Sequence, residues 1–346
     1  MSLSVDIEKQ LGDFHLRARF DADGGVTGLL GASGCGKSCT LKCVAGVERP
    51  DRGRIVLDGT VLFDSEARVD LPPQKRRVGY LFQHYALFPN MNVRKNILCG
   101  LHAEPNRGAR ETRMADVVRL LQLEGLENHR VGQISGGQAQ RVALARILVG
   151  QPNLLMLDEP FSALDAHLRE KLQLDMKSLL AEFGKSVLLV THSRDEAYHL
   201  CDRIGVMRNG ELLALKDTKA LFADPETIGA ASITGCKNIV RAEKRGEHEA
   251  YIPDWGLTLT TALPLRDGLL AVGIRAHYFN PRTPQNRFPV AFVGSMEEPF
   301  ECIYRFRWRT QRPDTPDVWL RVSKDKFAFP AELGVAPVNV LPLYGE

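Results

Sequence analysis

Apolar positions along this chain follow three different rhythms, and each predicts a different kind of element. Leu154–Leu157 and Val187–Val190 are short, uninterrupted apolar runs, the mark of strands buried on both faces. Val26 to Leu30 reads as a third such strand, running directly into a glycine-rich segment, Gly31 to Ser38. A helical period appears elsewhere. Met114, Val117, Val118 and Leu121 follow i, i+3, i+4, i+7, within a mostly helical stretch from about residue 90 to 150. Leu168, Leu172, Met176, Leu179, Leu180 and Phe183 mark the inner face of another helix. Lys37 to Ala45 also has helical character. Asp58-Gly59 and Asn209-Gly210 sit between apolar runs and predict two hairpins.

Strand, helix, strand alternation of this kind predicts an α/β layered domain over residues 1–234. After about residue 235 the rhythm changes to strict alternation with frequent prolines. In Phe300–Arg309, Phe300, Cys302, Tyr304, Phe306 and Trp308 alternate with Glu301, Arg305, Arg307 and Arg309, predicting a strand with one apolar and one basic face. Residues 236–346 are therefore expected to form a separate, smaller, mostly β domain.

Bulk composition narrows the function classes. The chain has 346 residues, enough for two domains, with 44% hydrophobic and 25% charged residues. A net charge of +3 gives no footprint for nucleic acid as a partner. No run approaches the ~18 consecutive apolar residues of a spanning helix, and the first residues lack a secretory pattern. Any membrane role would need another chain to cross the bilayer. The seven cysteines contain no Cys-x-x-Cys pair, which argues against a zinc ribbon or disulfide framework. Cys35, Cys39 and Cys43 recur every four residues, as small buried apolar side chains on one helix face would.

Three segments carry chemistry. Gly31-Ala32-Ser33-Gly34-Cys35-Gly36-Lys37-Ser38 fits a phosphate-binding loop. Its glycines let backbone N–H groups wrap phosphate oxygens at a helix N-terminus; Lys37 would neutralise the β- and γ-phosphates, and Ser38 would ligate Mg²⁺. Leu154–Glu159 is an apolar strand ending in two acids, with Asp158 suited to the Mg²⁺ shell and Glu159 to polarising water as a general base. Ser135-Gly136-Gly137-Gln138 precedes a helical run and reads as a second anion site at a capped helix start. Two phosphate sites on different elements suggest that two chains share each nucleotide.

Taken in order, these segments resemble the ATP-binding cassette (ABC) family over roughly residues 1–234. Gly31–Ser38 resembles its Walker A loop, Gln83 its Q-loop, Ile134–Gln138 its signature and Leu154–Glu159 its Walker B strand. Ser162-Ala163-Leu164-Asp165 resembles the D-loop, and His192 the switch histidine. The resemblance implies a P-loop NTPase cassette with a layered core and a helical subdomain at about 90–150, hydrolysing ATP with Mg²⁺ in a head-to-tail homodimer. Each nucleotide would lie between one chain's Walker A loop and the Ser135–Gln138 helix start of the other, with Asp165 alongside. Glu159 would activate water, His192 would contact the γ-phosphate, and Gln83 would join Mg²⁺ and the water to a transmembrane permease. Tyr85–Val93 would receive that permease. Cys39 stands where the family usually has threonine, so a hydroxyl contact near the α-phosphate is weakened or lost. Ile134 replaces a common leucine, and Phe14 is the candidate for stacking on adenine.

Absence of a spanning segment and presence of a C-terminal β domain resemble importer ATPases. These work peripherally at the cytoplasmic face of the membrane with permease subunits and, indirectly, a periplasmic or extracellular substrate-binding protein. Leu71–Gln83 with Leu87-Phe88-Pro89 is most similar to molybdate or tungstate importers; sulfate and ferric-iron importers share Phe82–Phe88. A soluble ABC ATPase of DNA repair or translation is the rival reading. Such proteins usually carry a coiled-coil insert or two cassettes per chain, and neither is visible here.

Overall fold

A computed structural model describes residues 2–102, 104–162, 166–324 and 328–346. The chain divides into two compact units, 1–218 and 219–346.

One eleven-stranded sheet organises the first unit. Its strands are β1 (Ser2–Leu11), β2 (Phe14–Asp23), β3 (Val26–Gly31), β4 (Arg52–Leu57), β5 (Thr60–Asp64), β6 (Val69–Asp70), β7 (Val78–Leu81), β8 (Leu154–Asp158), β9 (Ser186–Thr191), β10 (Arg203–Arg208) and β11 (Glu211–Asp217). Their spatial order is β6-β5-β4-β1-β2-β11-β10-β3-β9-β8-β7. The four strands β3, β9, β8 and β7 run parallel, and the first three are buried along their whole length, as their unbroken apolar character predicts. β1, β2, β4 and β5 pair antiparallel instead, as two hairpins joined along β1 and β4. Both expected hairpins are present: Asp58 and Gly59 join β4 to β5, Asn209 and Gly210 join β10 to β11, and all four have positive φ. That is the backbone hand a tight two-residue hairpin turn needs.

The helices of this unit are α1 (Lys37–Ala45), α2 (Val93–Leu98), α3 (Arg107–Leu120), α4 (Gly136–Leu148), α5 (Ala166–Phe183) and α6 (Arg194–Leu200). Helices α1, α4 and α6 pack on the parallel strands, and α2 and α3 pack on α4. Met114, Val117, Val118 and Leu121 are buried along α3 and its C-cap, and Leu172, Met176, Leu179 and Leu180 along α5. Leu168's side chain lies outside those described. Because α1 begins at Lys37, Cys35 precedes the helix and only Cys39 and Cys43 share its face. Cys35 and Cys43 are buried and Cys39 is half-buried, all within or against the core.

Arg76 fixes the far end of α1. Its buried guanidinium donates to the carbonyls of Cys43 and Val44 at 2.8 and 2.9 Å, to Leu71 O at 2.7 Å, and to Asp70 Oδ1 at 2.9 Å. A cation at a helix C-terminus meets both the unpaired carbonyls and the negative end of the dipole. Gly46 ends the helix at φ 76°, and a side chain there would collide with the guanidinium. Replacing Arg76 by alanine should destabilise the first unit by about 3 kcal/mol, since it removes a fully buried side chain and leaves three carbonyls without their donor, the partner Asp70 being exposed and adding little. An unfolding midpoint equal to that of the parent chain would contradict this.

The second unit is β-rich. Its division from the first comes earlier than the change in sequence rhythm near residue 235, because α7 (Thr218–Ala223) and α8 (Ile228–Ile233) are tied forward. Arg275 bonds Phe222 O at 2.8 Å, Thr234 Oγ1 at 3.3 Å and Thr234 O. Strands β12 (Asn238–Arg241), β16 (Ala271–Ile274) and β22 (Leu341–Leu343) form one sheet; β13 (Glu243–Lys244), β14 (Glu249–Ile252) and β15 (Leu257–Thr260) form another. The largest joins β17 (Phe279–Asn280), β21 (Glu332–Val335), β18 (Phe288–Glu297), β19 (Glu301–Trp308) and β20 (Val318–Ser323) in the order β17-β21-β18-β19-β20. Trp255, Phe279, Phe306 and Trp308 centre its core.

Expected alternation in β19 holds at Phe306 and Trp308 but fails at its start, where Ile303 is buried and Phe300 is 84% exposed. In the neighbouring β18 a bulge at Val293 lies opposite Arg305 and Phe306. Arg305 and Arg307 both face Asp317, at 3.7 and 3.5 Å, so one carboxylate offsets one charge of the basic stripe. Asn238 stitches β12 to β16 and β20: its amide donates to Ile274 O and Trp319 O, and Trp319 N donates to its Oδ1 at 2.7 Å. Asn238→Ala is expected to cost about 3 kcal/mol by leaving those buried groups unpaired. A second-unit unfolding transition that does not move to lower denaturant would refute it.

Candidate functional site

β3 delivers the chain into the loop at residues 32–36 and α1 carries it away. Gly36, at φ 105°, makes the final turn, and a Cβ there would sit 2.7 Å from Leu16 Cδ1 and 3.3 Å from Phe14 Cζ. Only glycine fits both the hand and the space. Lys37 is 4% exposed, and its ammonium donates to Gly31 O at 2.9 Å and Ala32 O at 2.8 Å, with Cys35 Sγ at 3.8 Å. The loop is also tied to the second hairpin turn, Gly210 N donating to Cys35 O. Gly31, Ala32, Ser33, Gly34, Cys35, Gly36, Lys37 and Ser38 thus form one closed turn at the N-terminus of α1. Phe14 is half-buried beside it. Cys39 follows in the first turn of α1; a hydrogen bond with Cys43 lowers its thiol from the ordinary range, against the opposing effect of burial.

Two carboxylates converge on this loop from the end of β8. Asp158 is 6% exposed and accepts from Ser38 Oγ at 2.7 Å through Oδ1 and from Tyr80 Oη at 2.8 Å through Oδ2. Glu159 follows at φ 45°, a left-handed conformation that costs a side-chain-bearing residue about 1 kcal/mol. The turn is held by Glu159 N donating to Val190 O at 2.9 Å and by Ser162 N and Oγ donating to Glu159 O. Its carboxylate lies 3.1 Å from His192 Nδ1 and accepts from Gln83 Nε2 at 3.4 Å. Glu159, His192 and Gln83 come from the ends of β8, β9 and β7, and three parallel strands explain why they meet. His192 and Gln83 are exposed, so both can reach a ligand at the surface.

Ser135 caps α4, accepting from Gln138 N while Gln138 Oε1 accepts from Ser135 N at 2.8 Å. Gly136 and Gly137 form the first turn. Among the described residues no hydrogen bond or ion pair joins Ser135–Gln138 to the phosphate loop of the same chain. Asp165 lies outside the described residues.

The segment from Gln83 to Val93 is pinned from two sides. Arg146 of α4 donates to Tyr85 O at 2.8 Å and Ala86 O at 2.7 Å, and both those residues have positive φ. Asn96 of α2, fully buried, bonds Phe88 N and Phe88 O. Pro160 O, one residue past Glu159, accepts from Gln140 Nε2 of α4 and from Tyr85 Oη. The glutamine loop, the acidic strand end and α4 therefore share one carbonyl. Tyr80, Gln140, Arg146 and Asn96 were not legible as site residues, since each acts at a distance of many residues. The tyrosine's place in an apolar strand beside the acidic one was the one available signal.

The description "ABC transporter" matches residues 20–162 of the chain. A spermidine/putrescine import ATP-binding protein of Methylococcus capsulatus is 42% identical over 233 residues, 67% of this chain and 58% of the relative. A molybdenum import ATP-binding protein of Paramagnetospirillum magneticum is 41% identical over 234 residues, 67% of this chain and 63% of the relative. The chain thus spans less than two thirds of the length of either. Among solved structures, a dimeric ATP-binding cassette in a post-hydrolysis state with ADP and Pi superposes at TM-score 0.53 with 27% identity, covering 63% of this chain and 99% of that one. CbiO1 of Clostridium perfringens, part of an ABC transporter complex, gives 0.57 with 26% identity, covering 65% of this chain and 91% of that one. With the phosphate loop, the acidic strand end and the capped glycine pair standing in this order on this sheet, the N-terminal unit of the chain is an ABC transporter ATP-binding domain.

Proposed function

We propose that this protein is the ATP-hydrolysing subunit of an ABC importer, working as a homodimer on the cytoplasmic side of a separate permease. One observation carries the reading: Ser38 with Asp158, and Glu159 with His192 and Gln83, converge at the open end of the parallel strands beside the Lys37 loop. The loop's N–H groups and Lys37 hold the triphosphate, Lys37 exchanging its bonds to Gly31 O and Ala32 O for phosphate oxygens. Phe14 offers its ring to adenine, and Cys39 packs where the α-phosphate would lie. Glu159 takes a proton from the attacking water, and His192 steadies the γ-phosphate.

A hard cation suits the donors present. Ser38 Oγ and Asp158 Oδ1 are oxygen ligands facing each other, a hydroxyl and a carboxylate of the kind that hold Mg²⁺ together with nucleotide phosphates and water. Ser38 and Asp158 would hold it, with Gln83 alongside; bound there, the ion supplies charge neutralisation of the β- and γ-phosphates. Ser135, Gly136, Gly137 and Gln138 form a capped helix start, exposed at Ser135 and Gly136, which supports their capping the nucleotide of a partner copy, a role in which Asp165 would share.

Gln83 stands one turn from the Tyr85–Val93 segment that Arg146 and Asn96 hold to the helices, a rigid path from Glu159 to a docking permease. No described helix is long and apolar enough to cross a membrane. For the cargo we favour a molybdate-type oxyanion on the Leu71–Pro89 pattern; the relative from Methylococcus capsulatus supports polyamine as the second reading. Reconstitution with the cognate permease and binding protein in vesicles tests both. ATP-driven uptake competed by molybdate and tungstate, not by sulfate or spermidine, is expected; competition by spermidine alone reverses the choice, and no ATP-driven uptake overturns the importer reading.

A further inference from the structure

Asp158 is almost fully buried, and a buried carboxylate holds one orientation only if both oxygens are engaged. Ser38 engages Oδ1, on the loop side. Oδ2 is engaged by Tyr80, which comes from a different strand. β7 runs parallel to β8 with Tyr80 opposite Met156, so the phenol reaches along the sheet to the strand end. Its ring is fixed against Phe82, edge-on with centroids 4.3 Å apart, and packs on the central core beside Cys39.

We propose that Tyr80 is a positioning residue for the nucleotide-bound cation: it ties Asp158 Oδ2 down so that Oδ1 alone is presented beside Ser38. This rests on the reading that Ser38 and Asp158 face the cation. A free carboxylate could rotate or take the cation through both oxygens; a phenol donor on Oδ2 leaves one fixed acceptor.

Full-length chain and its Tyr80→Phe variant would be compared by equilibrium binding of a fluorescent ATP analogue, in EDTA and across a Mg²⁺ titration. Phenylalanine keeps the ring and its contact with Phe82, and equal thermal unfolding profiles would establish equal folding. Loss of one hydrogen bond to a charged group predicts a roughly tenfold higher Mg²⁺ concentration for half-maximal enhancement, with affinity in EDTA unchanged within about twofold. Identical Mg²⁺ curves, or an equal loss with and without Mg²⁺, would overturn the role of Tyr80. Should Tyr80→Phe unfold, Tyr80→Met and a double variant with Asp158→Asn give the same reading: the Tyr80 effect must vanish when Asp158 is already neutral, and persistence refutes it. Parent chain that binds the analogue with no Mg²⁺ enhancement would sink the Ser38–Asp158 reading itself.

Discussion

Glu159→Gln is expected to lower ATP turnover by about 10²- to 10⁴-fold, the usual contribution of a positioned general base, while nucleotide binding persists. The substitution conserves shape and the backbone anchors that hold residue 159 at φ 45°, namely its N–H on Val190 O and its carbonyl on Ser162. What disappears is a proton acceptor and one negative charge next to the γ-phosphate. Both changes act in one direction: a nucleotide sandwiched between two copies is neither cleaved nor repelled, so the dimer should accumulate with ATP. Phosphate release measures the first effect and light scattering with ATP the second. A variant that turns over at the parent rate and remains monomeric with ATP would dismiss the assignment of Glu159 and the shared site together.

The second large effect belongs to Lys37. Lys37→Ala should weaken ATP binding roughly a hundredfold, about 3 kcal/mol, the upper range for a charge-assisted hydrogen bond. Buried at 4% exposure and held by two loop carbonyls, the ammonium is preorganised toward the interior of the turn, so little side-chain entropy remains to be lost on binding. Equilibrium dialysis against labelled ATP tests it. A variant with full affinity and only slower hydrolysis would show that Lys37 acts on the transition state rather than on the bound triphosphate.

Much of the first unit could be read from the chain alone because its signals are local. Two-residue Asx-Gly turns, unbroken apolar strands and the glycine spacing of residues 31–38 each constrain backbone geometry within a few positions, and the structure has them where expected. Two expectations fared less well. The three cysteines do not share one helix face, since α1 starts only at Lys37. The alternation from Phe300 is incomplete, because Phe300 precedes β19 and stays exposed while Ile303, on the other face, is buried, and no local period reports what covers each face. The cargo was least legible of all. Relatives named for spermidine/putrescine and for molybdenum match this chain at 42% and 41% identity, since both share the nucleotide machinery.

By itself, then, the sequence determined three buried strands, two hairpins and the main helical stretches, the phosphate loop, the two acids at a strand end and the capped helix start. Each is written in residues adjacent along the chain, where sterics and hydrogen bonding act directly. Only the tertiary structure decided that Tyr80 and Ser38 grip opposite oxygens of Asp158, that Arg146 holds the carbonyls of Tyr85 and Ala86, and that α7 and α8 go with the second unit through Arg275. Those contacts join residues separated by 78, 120, 60, 61, 53 and 41 positions, and their geometry is set by which strands lie side by side in the sheet and which helices pack together. A polar side chain's partner at that range is chosen by packing, and no local period encodes it.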